Sequence, residues 1–402
     1  MSGDLWQDFE AICDTGGRFA GTDSEAAART FLSRRLQEIT GATPTEATVD
    51  YLGWTRGEAV VERVGGTALP CVSLVRSPAT PGLEADLIDL GRGTEADFAA
   101  RSGDIAGNIA LVRHETMFAT GTIHRRRKYN WAMDHGAAGF LIAGHLSGVG
   151  PVTGSSGATP ERGIPAAGIS AETATALIEG GGRVRLVIEA DEVPRQTANL
   201  ILDLPGQGPE WVVLSAHIDG HHLSESAMDN GTGLAAVLGV AAEMEPRMSG
   251  MTRGLRIGMF TVEEWALAGS ADYIDGLSDA ERAAIKLNIN LDSIAGSPNL
   301  TALTSEFAGL EAWLEERAGV HGHTLGTHRP LMANSDHYNF ARHGIPATRL
   351  VAGFDEPDSN LKYVLTPGDT RDKVAPDDLA RATALTAALV ADACGSDELN
   401  LA

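Results

Sequence analysis

Three apolar stretches of this chain each run directly into side chains that could do chemistry. Trp211-Val-Val-Leu-Ser-Ala leads into His217-Ile-Asp219, Leu255-Arg-Ile-Gly-Met-Phe-Thr-Val into Glu263-Glu264, and Leu287-Asn-Ile-Asn-Leu into Asp292. A further acid, Asp229, stands in Met228-Asp-Asn-Gly-Thr-Gly, just ahead of an apolar helical stretch. Taken alone, Asp229 reads as an ordinary helix N-cap, worth about 1 kcal/mol. Taken together, the imidazole of His217 and the carboxylates of Asp229, Glu263, Glu264 and Asp292 converging on one sheet edge would repel one another unless cations sit among them.

Nitrogen and carboxylate donors without thiolates suit Zn2+, one or two ions, with Mn2+ or Co2+ as alternatives. Where a chain leaves a strand, adjacent side chains point apart. Glu264 can therefore ligate metal while Glu263 faces a metal-bound water as general base. Asp219 is placed to accept the hydrogen bond from the second ring nitrogen of His217 and so fix its tautomer.

The elements that must position these residues follow from periodicity. From Ala198 onward strands alternate with helices: Trp211–Ala216, Gly231–Met244, Leu255–Thr261, Glu264–Gly276, Leu287–Leu291, Phe307–Arg317 and Ala347–Val351. Alternation of this kind predicts an α/β domain with a mostly parallel central sheet and helices on both faces, whose ligands bind beyond the carboxyl ends of the strands. An amphipathic helix is expected over Ser24–Ile39, capped near Thr22 and closed by Gly41. Between Leu69 and Val193 the texture changes to short strands (Ala85–Leu90, Ile109–Val112, Gly139–Ala143, Val184–Ile188) around one helix from Thr122 to His135. That block reads as a separate β-rich module. The expected division is 1–56 with 196–402 for the α/β domain and 57–195 for the insertion.

Bulk composition narrows the function classes. At 402 residues two domains are expected, and 43% apolar with 21% charged residues excludes a disordered chain. The net charge of −23 argues against a nucleic-acid partner, because phosphate binding needs a basic surface. Three scattered cysteines suggest free thiols, and the N-terminal stretch has neither the basic start nor the apolar core of a signal peptide. No segment reads as a membrane span, so the expectation is a cytoplasmic protein without membrane partner, with a homo-oligomer left open.

The segments Ser215-Ala-His-Ile-Asp-Gly220, Ala227-Met-Asp-Asn-Gly-Thr-Gly233, Thr261-Val-Glu-Glu-Trp-Ala-Leu-Ala-Gly-Ser270 and Asn290-Leu-Asp-Ser293, in this order, resemble the M28 family of zinc aminopeptidases. The resemblance implies that His217, Asp229, Glu264 and Asp292 ligate metal, that Asp229 bridges two zincs and that Glu263 is the base. Gly107-Asn-Ile-Ala-Leu-Val, His135-Gly-Ala-Ala-Gly-Phe-Leu-Ile and Gly163-Ile-Pro-Ala-Ala-Gly-Ile-Ser resemble the protease-associated (PA) domain, which implies an inserted lid. The substrate implied is a small peptide or amino-acid derivative.

One position departs from that pattern. The family carries a metal-binding His in a Tyr-His-Thr-Pro-x-Asp-Thr stretch, and this chain reads Tyr363-Val-Leu-Thr-Pro-Gly-Asp-Thr370, with Leu365 at the ligand position. Three outcomes are open: one occupied site, a substitute ligand, or lost catalysis. His221, His222 and His337 are the candidate substitutes or substrate contacts, with His321, His323 and His328 behind them. The same departure admits a cytoplasmic amidohydrolase, or another C–N bond-cleaving enzyme, acting on a small non-peptide metabolite; a non-catalytic binding protein is the third reading. The basic run His124-Arg-Arg-Arg-Lys128 is expected on a solvated helix face.

Overall fold

The computed structural model of the chain describes residues 2–402; Met1, the first residue of the expected 1–56 segment, lies outside them. The chain divides into one unit of residues 1–51, 196–364 and 369–402, and another of residues 52–195 and 365–368. The first boundary thus falls at 51/52 rather than 56/57. The strand Thr45–Arg63 runs unbroken through it, leaving no turn to mark the place in the sequence. The residues 365–368 group with the insertion, where the Leu365 carbonyl accepts the Thr153 N–H at 2.8 Å.

In the first unit the strands lie in the order Gly326–His328, Leu300–Leu303, Ala347–Ala352, Ile285–Leu291, Trp211–His217, Gly254–Phe260 and the end of Arg183–Leu204. The four central strands are mutually parallel, and antiparallel partners flank them on both sides. Their near-continuous apolar runs suit strands covered on both faces. The helix Gly233–Met244, buried on almost every side, packs on Trp211–His217 and against the helices Ser2–Asp14, Asp23–Thr40 and Pro376–Gly395. Val213 and Phe260 meet Ile274 and Phe340 of two further helices, Ala268–Gly276 and His337–Ala341. This is the expected α/β sheet with helices on both faces.

Local signals explain most element ends. The Thr22 side chain accepts from Glu25 N at the start of Asp23–Thr40, and Gly41 closes that helix in the left-handed region (φ +73°), which a residue without Cβ adopts freely. The helix expected over Glu264–Gly276 is interrupted. A short 3-10 turn holds Glu263–Trp265, and the helix proper is Ala268–Gly276. Val262, Ala266 and Leu267 all have positive φ, a conformation no side chain there advertises in the sequence.

The second unit is built on strands Thr80–Asp89, Ile109–Arg113, Gly139–Ala143, Ala166–Ile169 and Cys71–Ser73, alongside the first half of Arg183–Leu204. Its core gathers Ile109, Leu111, Leu141, Ile169, Leu177 and Leu186. Cys13, Cys71 and Cys394 are free thiols. Among the described residues no helix is long and apolar enough to cross a membrane.

Candidate metal centre

Parallel register brings the carboxyl ends of the central strands level. His217 ends its strand opposite Phe260, three residues ahead of Glu263; Ser215 lies opposite Asn290, two residues ahead of Asp292. Side chains distant in sequence therefore meet at one edge. Donor atoms of His217, Glu263 and Asp292 lie within 4.8 Å of one another. His217 Nε2 is 3.0 Å from Asp229 Oδ1 and 3.6 Å from Asp292 Oδ1, yet it forms no well-aligned hydrogen bond.

Asp219 acts differently from the expectation. The other ring nitrogen of His217, Nδ1, meets the backbone carbonyl of Asp219 at 2.8 Å, while the carboxylate stays 4.0 Å away. The carbonyl, being acceptor only, fixes the tautomer with Nε2 free for metal. The carboxylate instead accepts the backbone N–H groups of Glu263 at 3.0 Å and Glu264 at 3.2 Å.

Asp229 is held by the stretch that follows Leu365. Asp369 accepts the N–H of Met228 at 2.7 Å and of Asp229 at 3.3 Å. The next residue, Asn230, donates to the Leu291 carbonyl at 2.8 Å and accepts from Gly233 N at 3.1 Å, and the Asp229–Asn230 peptide is cis. These bonds tie the start of the helix Gly233–Met244 to the end of the strand that precedes Asp292.

Arg349 is a site residue that sequence reasoning missed. Its Nη2 lies 3.0 Å from Asp292 Oδ2, so Asp292 turns one oxygen to a fixed cation and the other toward His217. The available signal was a charged residue in the middle of the apolar strand Ala347–Ala352. Asp336 was missed as well; it is fully buried and close enough to Glu263 to raise its pKa.

The electrostatics favour a cation. Burial pushes Asp229 up from the ordinary carboxylate range, and Asp292 and Glu264 push it further. Burial likewise drives Glu263 well above its usual value, aided by Glu264, Asp336 and Asp292 and opposed by His217. Burial would depress His217, but the surrounding Glu263, Asp229 and Asp292 raise it well above normal. Asp292 alone is held low: burial pushes it up, and Arg349 with His217 more than offsets that. A buried imidazole surrounded by carboxylates that resist ionisation is a donor set that fits a divalent ion.

The candidate substitutes separate cleanly. His221 is buried, with Nε2 2.6 Å from Glu264 Oε1. His222 is exposed and sets its ring edge-on to Phe19 at 4.8 Å. His337 is buried beside Arg349 and Asp292, and its pKa falls to about 3 through burial and the Arg349 charge. His321 pairs with Asp392 at 2.9 Å, and His328 packs on Phe354. The run His124–Lys128 is not a solvated face: Arg125 and Lys128 are buried, with Arg125 Nε donating to Ser155 O at 2.7 Å and Lys128 Nζ paired with Glu115 at 2.6 Å. Their chemistry is spent inside the second unit.

Known proteins share the sequence pattern and the fold. Residues 199–390 match the model of peptidase family M28 and residues 72–177 that of the PA domain. A protein of Aspergillus fumigatus described as "Probable leucine aminopeptidase 2" is 32% identical over 324 residues, 75% of this chain and 61% of that protein. "Aminopeptidase YwaD" of Bacillus subtilis is 26% identical over 321 residues, covering 78% and 67%. The chain thus spans about three fifths to two thirds of the length of these relatives. The fold is shared with BSAP, a zinc aminopeptidase from Bacillus subtilis, at a TM-score of 0.79 and 23% identity over 100% of this chain and 97% of that one. With the strand-end cluster, both family models and the shared fold in agreement, residues 199–390 are of the peptidase family M28 type and residues 72–177 of the PA-domain type.

Proposed function

We propose that this protein is a zinc-dependent hydrolase that cleaves the amide bond after a free amino terminus in a peptide or amino-acid derivative. The observation that carries the reading is the approach of Glu263 to His217 and Asp292, all three donor atoms within 4.8 Å, in a buried site. Zinc held by His217, Asp229 and Asp292 would polarise the scissile carbonyl and make a water more acidic. Glu263 would take the proton of that water. Burial and the neighbouring carboxylates raise its affinity for a proton, so it can hold the proton and pass it to the leaving amine. Asp219 keeps the Glu263–Glu264 turn in place through both backbone N–H groups, and Arg349 holds Asp292 ionised. A strongly anionic interior favours a cationic amino terminus over an N-acylated one.

A panel of aminoacyl anilides set against N-acyl amino acids tests the substrate class. Turnover of the first set, lost by at least about 100-fold in Glu263→Gln with zinc retained, is the expected result. Activity confined to the N-acyl set would move the assignment to an amidohydrolase. Wild-type turnover that Glu263→Gln leaves intact would remove Glu263 as the base.

A further inference from the structure

The buried carboxylates at this edge outnumber the ligand positions of one tetrahedral ion. Asp219, Asp229, Glu263, Glu264, Asp292, Asp336 and Asp369 are all buried, and the buried arginines among them are Arg18 and Arg349. His217, Asp292 and Glu263 form one tight cluster, and Asp229 lies against His217 Nε2 at 3.0 Å. Glu264 stands apart from that cluster, with its Oε1 facing His221 Nε2 at 2.6 Å. An imidazole and a carboxylate facing each other at this distance are a donor pair of the zinc type.

From this we infer that His221 is a metal ligand: with Glu264 and Asp229 it holds a second divalent ion, in place of the imidazole that this chain lacks at Leu365. The inference rests on the zinc-hydrolase reading but concerns binding, not turnover.

The loop that carries His221 is built rather than floppy. Ser226 Oγ accepts the His221 N–H at 2.8 Å and donates to the His221 carbonyl at 3.1 Å, closing a small ring around residues 221–226. Arg18, fully buried, donates to the carbonyls of Ile218 (3.0 Å), Glu225 (2.8 Å) and Ser226 (2.6 Å), so one guanidinium pins both ends of the loop. Gly17 lies so close beneath it that a Cβ there would stand 2.0 Å from the His221 carbonyl oxygen. A ligand needs such fixed support to keep its ring oriented. His222 and His337 have other neighbours and are not ligands of this ion.

The test uses the full-length protein, stripped with chelator and reloaded with zinc, with metal counted per chain. Two ions are expected in the wild type and in His222→Ala, and one tight ion in His221→Ala, the second binding at least about 100-fold more weakly. Equal zinc content in wild type and His221→Ala would overturn the inference and leave His221 as a hydrogen-bond partner of Glu264. X-ray absorption at the zinc edge of wild type shown to hold two zincs per chain needs no variant: an average of one imidazole per zinc supports the assignment, and one imidazole for every two zincs refutes it. Two ions bound with no hydrolysis of any substrate would sink the proposed activity alone.

Discussion

The carboxylate of Asp219 accepts the backbone N–H groups of both Glu263 and Glu264, at 3.0 and 3.2 Å, while its own carbonyl orients His217. One residue therefore fixes the direction of the base, of the neighbouring acid and of the imidazole. Asp219→Asn keeps the carbonyl and one acceptor oxygen but turns an NH2 group toward a backbone N–H. Such a change is expected to lower kcat/KM by about 10- to 100-fold with zinc content unchanged. Steady-state kinetics alongside metal analysis checks this; lost zinc with normal residual turnover per ion would contradict it.

Arg349 and Asp292 form a buried ion pair, and removing one partner of such a pair costs about 3–5 kcal/mol. Zinc beside Asp292 would compensate for the missing charge. Arg349→Met should therefore lose most stability in the chelated protein and clearly less after zinc is restored, as read from urea unfolding in the two states. Equal losses would mean that the guanidinium matters only for packing.

Gly17→Ala brings a Cβ to 2.0 Å from the His221 carbonyl oxygen and 2.6 Å from the His222 Cα, both backbone atoms that cannot swing aside. A destabilisation of about 1–3 kcal/mol is expected, with a displaced His221 loop and a weaker second zinc. Gly103→Ala, where nothing lies within 4 Å, is the matched control and should change neither property. A Gly17 variant with wild-type zinc affinity would show that the loop tolerates the shift.

Acid should loosen the second unit through His114. Burial holds its pKa well below 6.5, and the charges of Arg125, His145, Lys128 and His124 hold it lower still. The unfolded chain takes up a proton near pH 6.5 that the folded unit refuses. Stability thus falls as pH drops below about 6.5, by about 1.4 kcal/mol per pH unit for one such group, until the folded pKa is reached. Between pH 6.5 and 5 the wild type should lose more stability than His114→Asn. Parallel pH profiles of the two proteins in urea would disprove the role.

What the sequence revealed followed from how unambiguous each local signal was. Apolar runs ending in His217, Glu263 and Asp292 identify strand ends without any knowledge of neighbours, and the parallel sheet then brings those ends together. The partner of the Asp219 carboxylate was hidden, because a carboxylate and a carbonyl of the same residue compete for His217 and only the turn at Glu263 decides between them. The left-handed Val262, Ala266 and Leu267 gave no glycine to announce the break before Ala268. Arg125 and Lys128 read as a solvated face because their buried carbonyl and Glu115 partners lie on other segments. Arg349 could have been found, since a lone guanidinium in a fully buried strand needs an anion.

The clamp made by Arg18 also sets an order of events. Its bonds to Ile218 and Ser226 span 200 and 208 residues, and Asp292 comes later still. During synthesis Arg18 must wait for about 200 further residues before its guanidinium has these carbonyls to hold. Zinc capture at His221 thereby becomes a report that the two distant ends of this assembly have met, and an early compact species with the amino terminus undocked would take up one ion and stall before the next.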